Sequence, residues 1–321
     1  MKLYLTLTSI ICLVLIVFPL CCVTVSKGGL ISDSLVQEES FPQKNNSDNT
    51  ETVSVFVVSS NKTVDIKVFD YLVGAVASEM PASYHTEALK AQAVACYSYM
   101  TWLKQNADNA EYDISSDPST HQGYLTIDEM KEKWGDKYDS YKEKIEEAVS
   151  AVYGECITYK GEPILALFHG ISPGTTQNSK DVWDDALPYL KSKSAPGDSL
   201  SPDFDSSLTV SCKKIREIFA VNTDIKDSEL IDIFSLSDSS YIKKIRLGNT
   251  TVSAGDIASK LKLRSPYFTA EYKEGNYIFK TKGYGHGLGM SQYSADYMAR
   301  QGSTYKEILL HFYDSTEISK M

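Results

Sequence analysis

The chain contains few cysteines, and they do not form pairs along the sequence. Six of the 321 residues are cysteine, and three of these fall within the uncharged run 3–25. The remaining three are Cys96, Cys156 and Cys212. An odd number of cysteines without a close pair does not make a disulfide framework. Cys96 follows the apolar spacing of a predicted helix, so we interpret it as a small buried hydrophobic residue.

Metal and nucleotide motifs are lacking as well. The sequence has no His-Glu-x-x-His, no paired Cys-x-x-Cys and no Asp-rich calcium loop. His121 and His169 would supply two ligands, whereas a zinc site needs three or four. The glycine-rich stretch 283–289 lacks the Gly-Lys-Ser/Thr ending of a phosphate loop. We therefore predict no metal site.

Positive charge is scarce relative to negative charge. Lys and Arg number 32 against 42 Asp and Glu, which gives a formal net charge of −10. The sequence has no basic run, and binding to a phosphate backbone needs a basic face. These features argue against a nucleic-acid partner.

The N-terminal segment has no charge over a long stretch. Residues 3–25 are uncharged, and a helix of this length spans about 34 Å, enough to cross a bilayer. We predict a transmembrane anchor over residues 1–26 and a flexible polar tether over 27–52. Lys2 before the run and acidic residues after it favour a single-pass membrane protein with an extracytoplasmic domain. A cleavable signal peptide is the alternative.

The sequence after the tether predicts a mixed α+β domain that carries a cleft. Alternating apolar residues indicate strands at 53–58 and 63–68. Helical spacing indicates helices at 69–80 and 86–105. Residues 203–265 contain no acid or histidine that stands out as a candidate site residue, and they are predicted to form a smaller, supporting subdomain.

The first predicted helix places an acid on its buried side. Leu72 and Val76 recur at helical spacing, and Glu79 continues their apolar stripe. Asp70 is the expected N-cap, and Pro81 ends the helix. A carboxyl group on a desolvated face has a raised pKa, which a general acid needs near neutral pH. The alternative is a glutamate at a helix end that reaches solvent or pairs with a lysine.

Two further polar residues lie in apolar surroundings. Gln92 falls inside the apolar stripe of the second helix, so it must find a partner or face a cleft. His169 directly follows the apolar run 164–168, which is predicted to be a buried strand. A satisfied structural histidine is the alternative for His169.

Glycine occupies every second position of residues 283–289. In a strand this pattern would leave one face bare, so that a ligand or another backbone could approach closely. Tyr284, His286 and Leu288 would then lie on the opposite face.

These residues suit one particular reaction on sugars. A typical glycosidase uses two carboxylates, whereas this sequence offers one good candidate, Glu79. A single acid suffices when the sugar supplies its own nucleophile, as in a lytic transglycosylase. The acid protonates the glycosidic oxygen and then withdraws the proton of the C6 hydroxyl, which closes a 1,6-anhydro ring.

Several long motifs in one order connect the chain to a known family. They are residues 71–82, 87–95, 181–183, 187–190, 194–198, 263–265 and 285–293. From about Val53 to its C-terminus the chain resembles the stage II sporulation protein D family. The resemblance implies a peptidoglycan lytic transglycosylase with Glu79 as its acid/base. It also implies a substrate of glycan strands stripped of stem peptides, a partner cell-wall amidase that strips them, and a role in forespore engulfment.

Eight residues are predicted to line the cleft and bind the substrate. The predicted substrate-binding residues are Gln92, His121, Gln122, Tyr124, His169, Trp183, His286 and Gln292. Some family members carry a cysteine beside the histidine that matches His121 and bind zinc there, but this chain has Gln122. We therefore predict no cofactor, with zinc as the alternative.

Two other departures from the family pattern concern Tyr97 and residues 170–174. Family members often have arginine in place of Tyr97 and usually read Ser-Thr-Ser-Gly-Gly after the histidine. The second departure leaves the details of substrate contact open. Two alternatives to an enzyme also stay open: a non-catalytic glycan-binding or amidase-enhancing module, and an exported scaffold protein.

Overall fold

The computed structural model describes residues 51–106, 111–183, 186–222 and 224–321. The predicted anchor and all but the last two residues of the predicted tether lie outside this part of the chain. Within the described ranges, no helix is both long enough and apolar enough to span a membrane.

The described chain mixes helices and sheets, as the sequence predicts. Its α-helices are α1 (Val68–Glu79), α2 (Thr86–Asn106), α3 (Ile127–Trp134), α4 (Tyr138–Val152), α5 (Cys212–Phe219), α6 (Ala254–Leu261), α7 (Gln292–Arg300) and α8 (Tyr305–Phe312). Its strands are β1 (Thr52–Val57), β2 (Lys62–Lys67), β3 (Ile114–Ser115), β4 (Glu155–Tyr159), β5 (Glu162–Pro163), β6 (Phe168–His169), β7 (Asp205–Ser211), β8 (Ile231–Leu236), β9 (Ile242–Leu247), β10 (Thr250–Val252), β11 (Phe268–Lys273), β12 (Asn276–Lys282), β13 (Met290–Ser291) and β14 (Glu317–Lys320).

Helix α2 is the centre of the larger core. Every residue from Ala91 to Met100 is buried, and α1, α4, β4, α7 and α8 all pack against the helix. The alanines at positions 88, 91, 93 and 95 lack bulky side chains and let these elements approach closely. Because α2 is buried on all sides, packing holds its side chains in place. The candidate site lies beside this helix, whose Tyr99 lines the cleft.

The elements before α2 follow the sequence prediction closely. Strands β1 and β2 pair antiparallel, and β3 adds in parallel on the other side of β1. The predicted N-cap of α1 is wrong. Lys67 occupies that position without a side-chain hydrogen bond, and Asp70 lies inside the first turn. The helix ends at Glu79 because the residue before Pro81 is forced into an extended conformation.

The predicted buried strand at 164–168 is wrong in its hydrogen bonding but right in its burial. Residues 164–167 are buried but not part of a strand, although the Ile164 N–H donates to the Ile157 carbonyl oxygen of β4. Phe168 and His169 pair with the parallel segment β13. A short pairing of this kind holds His169 beside Ser291.

Residues 283–289 do not form the predicted strand. Each of the four glycines in this stretch has a left-handed backbone, with φ between 70° and 102°. The predicted close approach of another backbone is nevertheless present, since a Cβ at Gly283 or Gly289 would collide with a neighbouring backbone carbonyl. The stretch is therefore a looped segment wedged against the chain around residues 167–172.

A second hydrophobic cluster contains residues from Cys212 to Phe279. Strands β8–β10 form one sheet beside it, and β7, β11 and β12 form another. The cluster extends past the predicted limit of residue 265 because β12 pairs with β7 along its whole length. The division into domains stays a prediction.

Candidate functional site

A cleft of about 590 Å³ opens between the C-terminal end of α1 and the segments around β6 and β13. The loop before α3 contributes Pro118, His121 and Gln122, and the looped segment 283–289 contributes Tyr284, Gly285 and His286. Tyr99 of α2 also lines the cleft. The cleft therefore brings together parts of the chain separated by about 200 residues of sequence.

Glu79 lines this cleft as the last residue of α1. It is half-buried, and the Gly123 N–H donates a hydrogen bond to its Oε1. Burial raises the pKa of Glu79 to about 7, against the lowering effects of the Gly123 N–H and the Lys133 ammonium. Gly123 packs closely against the end of α1, because a Cβ at this position would collide with the Ser78 hydroxyl. A carboxyl in this state can both give and take a proton near neutral pH.

Lys133 is the charged neighbour of Glu79. Its Nζ donates to the Ala77 carbonyl oxygen at 2.9 Å and to the Ser78 carbonyl oxygen at 3.5 Å. Carbonyls in the last turn of a helix have no partner within the helix, so the ammonium satisfies groups that α1 leaves open. Lys133 thereby holds the helix end that carries Glu79.

Gln122 is buried at the cleft. Its Nε2 donates to the Tyr71 hydroxyl at 2.6 Å and to the Cys96 carbonyl oxygen at 3.2 Å. Its Oε1 has no hydrogen-bond partner among the described residues. His121, beside it, accepts the Ser115 N–H on Nδ1 at 3.0 Å, and burial lowers the pKa of His121 to about 4.

His169 and His286 face each other with ring centroids 5.8 Å apart. The Nδ1 of His169 lies 3.0 Å from the Leu288 carbonyl oxygen, and the Nδ1 of His286 accepts the Leu288 N–H at 3.1 Å. Burial lowers the pKa of His169 to about 3 and that of His286 to about 4. Both rings are therefore neutral at physiological pH.

Gln92 lies below the cleft rather than in its wall. Gln292, which lines the cleft, donates its Nε2 to Gln92 Oε1 at 3.2 Å. Gln92 in turn donates to the Cys96 sulfur at 3.3 Å. The expectation that Gln92 needs a partner is confirmed, and its effect on the cleft passes through Gln292.

Two predicted wall residues lie elsewhere. Tyr124 stacks on Tyr71 with ring centroids 5.7 Å apart and covers Gly74, away from the cleft. Trp183, predicted to bind substrate, is 5% exposed and packs into the larger core instead of lining the cleft. The indole is large and mostly apolar, so its burial in the core stabilises the fold more than its exposure at the surface would.

Several cleft residues were not found from the sequence. These are Tyr99, Lys133, Trp134, Tyr141, Phe168 and Tyr284. Trp134 contacts Tyr141 edge-on, with ring centroids 5.8 Å apart. Nothing in the helical spacing of α3 and α4 distinguishes these aromatic residues from ordinary core residues. Tyr284 belongs to the same glycine-rich stretch as His286, but the sequence alone predicts no role for it.

Asp198, which lies in the motif 194–198, is a second buried acid. It accepts the Ser172 N–H at 2.7 Å and the Ser291 hydroxyl at 2.9 Å on both oxygens. Burial raises the pKa of Asp198 to about 6. Asp198 does not line the cleft, and it joins the segment after His169 to the residue before Gln292.

Residues 170–174 match the Gly-x-Ser-x-Gly spacing of serine hydrolases. Ser172 is fully buried, however, and its hydroxyl accepts the Gly174 N–H at 3.1 Å. The segment follows the two-residue strand β6 and does not lead into a helix, so it is not a nucleophile elbow.

The described residues contain no group of three or more His, Cys, Asp or Glu side chains that could hold a metal ion. His121 Nδ1 is already engaged by a backbone N–H. The groups in the cleft that could bind zinc are imidazoles and one carboxyl, and the described residues bring together no three of them.

Fold and site together define an α+β protein with one acid of raised pKa in a cleft that is mostly apolar and carries a few amide and imidazole groups. Among the described lining residues Glu79 is the only carboxyl group, and Lys133 is the only lysine or arginine. Such a site suits acid–base chemistry on an uncharged polar ligand.

Comparison with known proteins identifies the family. The SpoIID family model, described as Stage II sporulation protein, matches residues 59–159. Stage II sporulation protein D of Bacillus subtilis (strain 168) is 33% identical over 272 residues, which cover 84% of this chain and 79% of the relative. The protein of the same name from Bacillus amyloliquefaciens is 34% identical over 273 residues, with the same coverage of 84% and 79%. The chain belongs to the stage II sporulation protein D family.

A more distant relative carries a different name. A Bacillus subtilis (strain 168) protein named Amidase enhancer is 26% identical over 306 aligned positions, which cover 77% of this chain and 40% of that protein.

Proposed function

We propose that this protein is a lytic transglycosylase that cleaves the glycan strands of peptidoglycan and leaves 1,6-anhydro-N-acetylmuramic ends. The observation that carries the proposal is the state of Glu79, which lines the cleft with a pKa raised to about 7. The resemblance to stage II sporulation protein D supports the substrate class.

Glu79 would act twice in one turnover. Its protonated carboxyl donates the proton to the glycosidic oxygen as the bond from that oxygen to C1 breaks. The resulting carboxylate then takes the proton of the C6 hydroxyl, whose oxygen bonds to C1 and closes the anhydro ring. Glu79 ends protonated again, and no water is consumed.

The described part of the cleft favours this reaction over ordinary hydrolysis. A hydrolytic glycosidase needs a second carboxyl group within about 10 Å of the first, as nucleophile or as base for water. Glu79 is the only carboxyl group among the described residues that line the cleft. An intramolecular nucleophile removes the need for a second one.

The setting of the reaction is also part of the proposal. The substrate would be glycan strands from which a partner cell-wall amidase has removed the stem peptides, during engulfment of the forespore. The domain would work outside the cytoplasm behind the predicted N-terminal anchor. The sporulation relatives and the relative named Amidase enhancer support this setting.

The test is an assay of the purified protein with peptide-free glycan strands. Wild-type protein should release anhydro-muramic ends, and Glu79→Gln should lower the rate at least about 100-fold because the amide cannot donate or accept the proton. Glu147→Gln changes an exposed glutamate on α4 and serves as the matched control. Full activity of Glu79→Gln would rule out Glu79 as the acid.

A second candidate function is a non-catalytic amidase-enhancing module, which the relative named Amidase enhancer favours. In that case the protein would stimulate an amidase or bind glycan without cleaving it. The same assay, with and without an added amidase, separates the two functions.

A further inference from the structure

Two buried hydrogen-bond acceptors at the cleft have no partner among the described residues. They are Nε2 of His169 and Oε1 of Gln122, on side chains that both line the cleft. His169 is 4% exposed and Gln122 is also 4% exposed. A buried polar atom without a partner costs folding free energy, so each such atom needs an explanation.

The hydrogen bonds that Gln122 and His169 make with backbone carbonyl oxygens show which polar atom of each side chain has no partner among the described residues. The Cys96 carbonyl oxygen can only accept, so the atom 3.2 Å from it must be the NH2 group of Gln122. The Leu288 carbonyl oxygen can also only accept, so Nδ1 of His169 carries the ring proton. Gln122 Oε1 and His169 Nε2 are therefore both lone-pair acceptors.

The imidazole stays an acceptor at physiological pH. Burial lowers the pKa of His169 to about 3, and the facing ring of His286 adds to this effect. A neutral ring cannot attract a carboxylate or phosphate as a cation would. The ligand groups that fit these two atoms are hydrogen-bond donors.

We propose that His169 Nε2 and Gln122 Oε1 form an acceptor pair that binds uncharged donor groups of a glycan, either sugar hydroxyls or acetamido N–H groups. The proposal rests on the proposed function in taking a glycan as the ligand. It assigns to the two side chains a role in ligand affinity that is separate from the proton transfer by Glu79. The energetic cost of the free acceptors in the folded protein is recovered when the ligand donates to them.

Two substitutions at His169 separate the acceptor from the structural hydrogen bond. His169→Asn keeps an amide donor near the position of Nδ1 for the Leu288 carbonyl and removes the acceptor from the cleft. His169→Gln places an amide near the position of Nε2 and restores an acceptor. At position 122, Gln122→Leu and Gln122→Glu both lose the NH2 group, but only the glutamate keeps an oxygen acceptor.

Binding is measured by calorimetry in a Glu79→Gln background, so that no ligand is cleaved. The probes are an N-acetylglucosamine oligomer and a glucose oligomer of equal length. We expect His169→Asn to weaken binding by about 5- to 10-fold, the effect of one lost hydrogen bond, and His169→Gln to recover most of it. Gln122→Leu should bind more weakly than Gln122→Glu. The thermal midpoint of His169→Asn without ligand should stay at or above that of the parent.

The outcomes decide the proposal. Loss of affinity for both oligomers in His169→Asn assigns the hydroxyl groups, and loss for the N-acetylated oligomer alone assigns the acetamido N–H. Unchanged affinity in both His169→Asn and Gln122→Leu, or no binding of either oligomer to the parent, overturns the acceptor pair. Failure of the proposed function is a different result, because wild-type protein would then bind glycan and release no anhydro ends.

Discussion

At the scale of single residues, the acid strength of Glu79 follows from its position at the end of α1. The last turn of a helix carries partial negative charge, which disfavours a second negative charge nearby. Burial is the main cause of the raised pKa of Glu79, and it outweighs the Gly123 N–H and the Lys133 ammonium, which both lower that pKa. The helical spacing of Leu72, Val76 and Glu79 is enough to predict this placement, because it depends on one amphipathic helix.

The raised pKa of Glu79 predicts how stability depends on pH. Between about pH 4.5 and 7 the folded protein keeps Glu79 protonated, while the unfolded chain has released that proton. The contribution of Glu79 to the free energy of unfolding therefore falls as pH rises through this interval. Glu79→Gln removes this penalty and should be more stable than wild type by roughly 1–3 kcal/mol above about pH 7, with little difference below about pH 4.5.

Urea denaturation at several pH values measures this difference. The control Glu147→Gln should follow the wild-type curve throughout. A Glu79→Gln variant whose extra stability does not change with pH would contradict the raised pKa.

Lys133 is expected to tune the same carboxyl group. Lys133→Met removes the cation that lowers the pKa of Glu79, so that pKa should rise further, by up to about one pH unit. Under the proposed mechanism, the pH at which kcat/KM falls on the alkaline side should move upward by the same amount. Lys133→Arg keeps the charge and should move the profile much less. A profile that is identical in all three proteins would show that Lys133 acts only through the Ala77 carbonyl.

At the scale of elements, local chemistry was predictable and long-range pairing was not. The capping box of Thr126 and Glu129 and the end of α3 at Gly135 follow from local residue types, because each involves neighbours within a few residues. Strands β7, β11 and β12 were not predicted. Their outward faces are polar. The pairing of β7 with β12 joins residues about 70 positions apart, which no local pattern records, whereas β11 and β12 form a local hairpin.

The candidate site shows the same division. Glu79 and His169 were found because each stands beside an apolar run of the sequence. Lys133 and Trp134 were missed because their place in the cleft depends on how α3 packs against the end of α1. Trp183 was misplaced because no local pattern around it records that it packs into the larger core.

Substitution of two glycines that both have a left-handed backbone should lower the free energy of unfolding by different amounts. Gly289 has φ of 70°, and a Cβ there would collide with the Leu167 carbonyl oxygen and lie 2.7 Å from its carbon. Gly275, in the β11–β12 turn, has φ of 78° with no atom within 4 Å of the added Cβ. Gly275→Ala should cost about 1–2 kcal/mol from backbone strain alone. Gly289→Ala should cost at least about 3 kcal/mol, since the chain around Leu167 must move as well.

Chemical denaturation of the two variants gives the comparison. Equal costs would mean that the backbone around Leu167 shifts without loss of packing. A Gly289→Ala protein that still folds should also show weaker glycan binding, because Leu167 lines the cleft.

At the scale of the whole molecule, the described chain contains two hydrophobic clusters. The larger one surrounds α2, and the smaller one lies between the sheets of residues 205–282. Tyr241, the residue before β9, contacts the looped segment and the chain beside it. Its hydroxyl donates to the Thr175 carbonyl oxygen at 3.1 Å, and its ring packs on Gly287. The start of β9 therefore supports the looped segment that carries His286.

Two isoleucines offer a matched test of whether the clusters are separate folding units. Ile145 on α4 and Ile245 on β9 are both fully buried, one in each cluster. Either residue changed to alanine should cost roughly 2–5 kcal/mol through the lost contacts and the cavity left behind. If the smaller cluster unfolds on its own, Ile245→Ala should lower hydrogen-exchange protection in β7–β12 and leave α2 protected. Ile145→Ala should lower the protection of α2. Because each isoleucine belongs to one cluster only, equal loss of protection everywhere in both variants would instead show one cooperative unit.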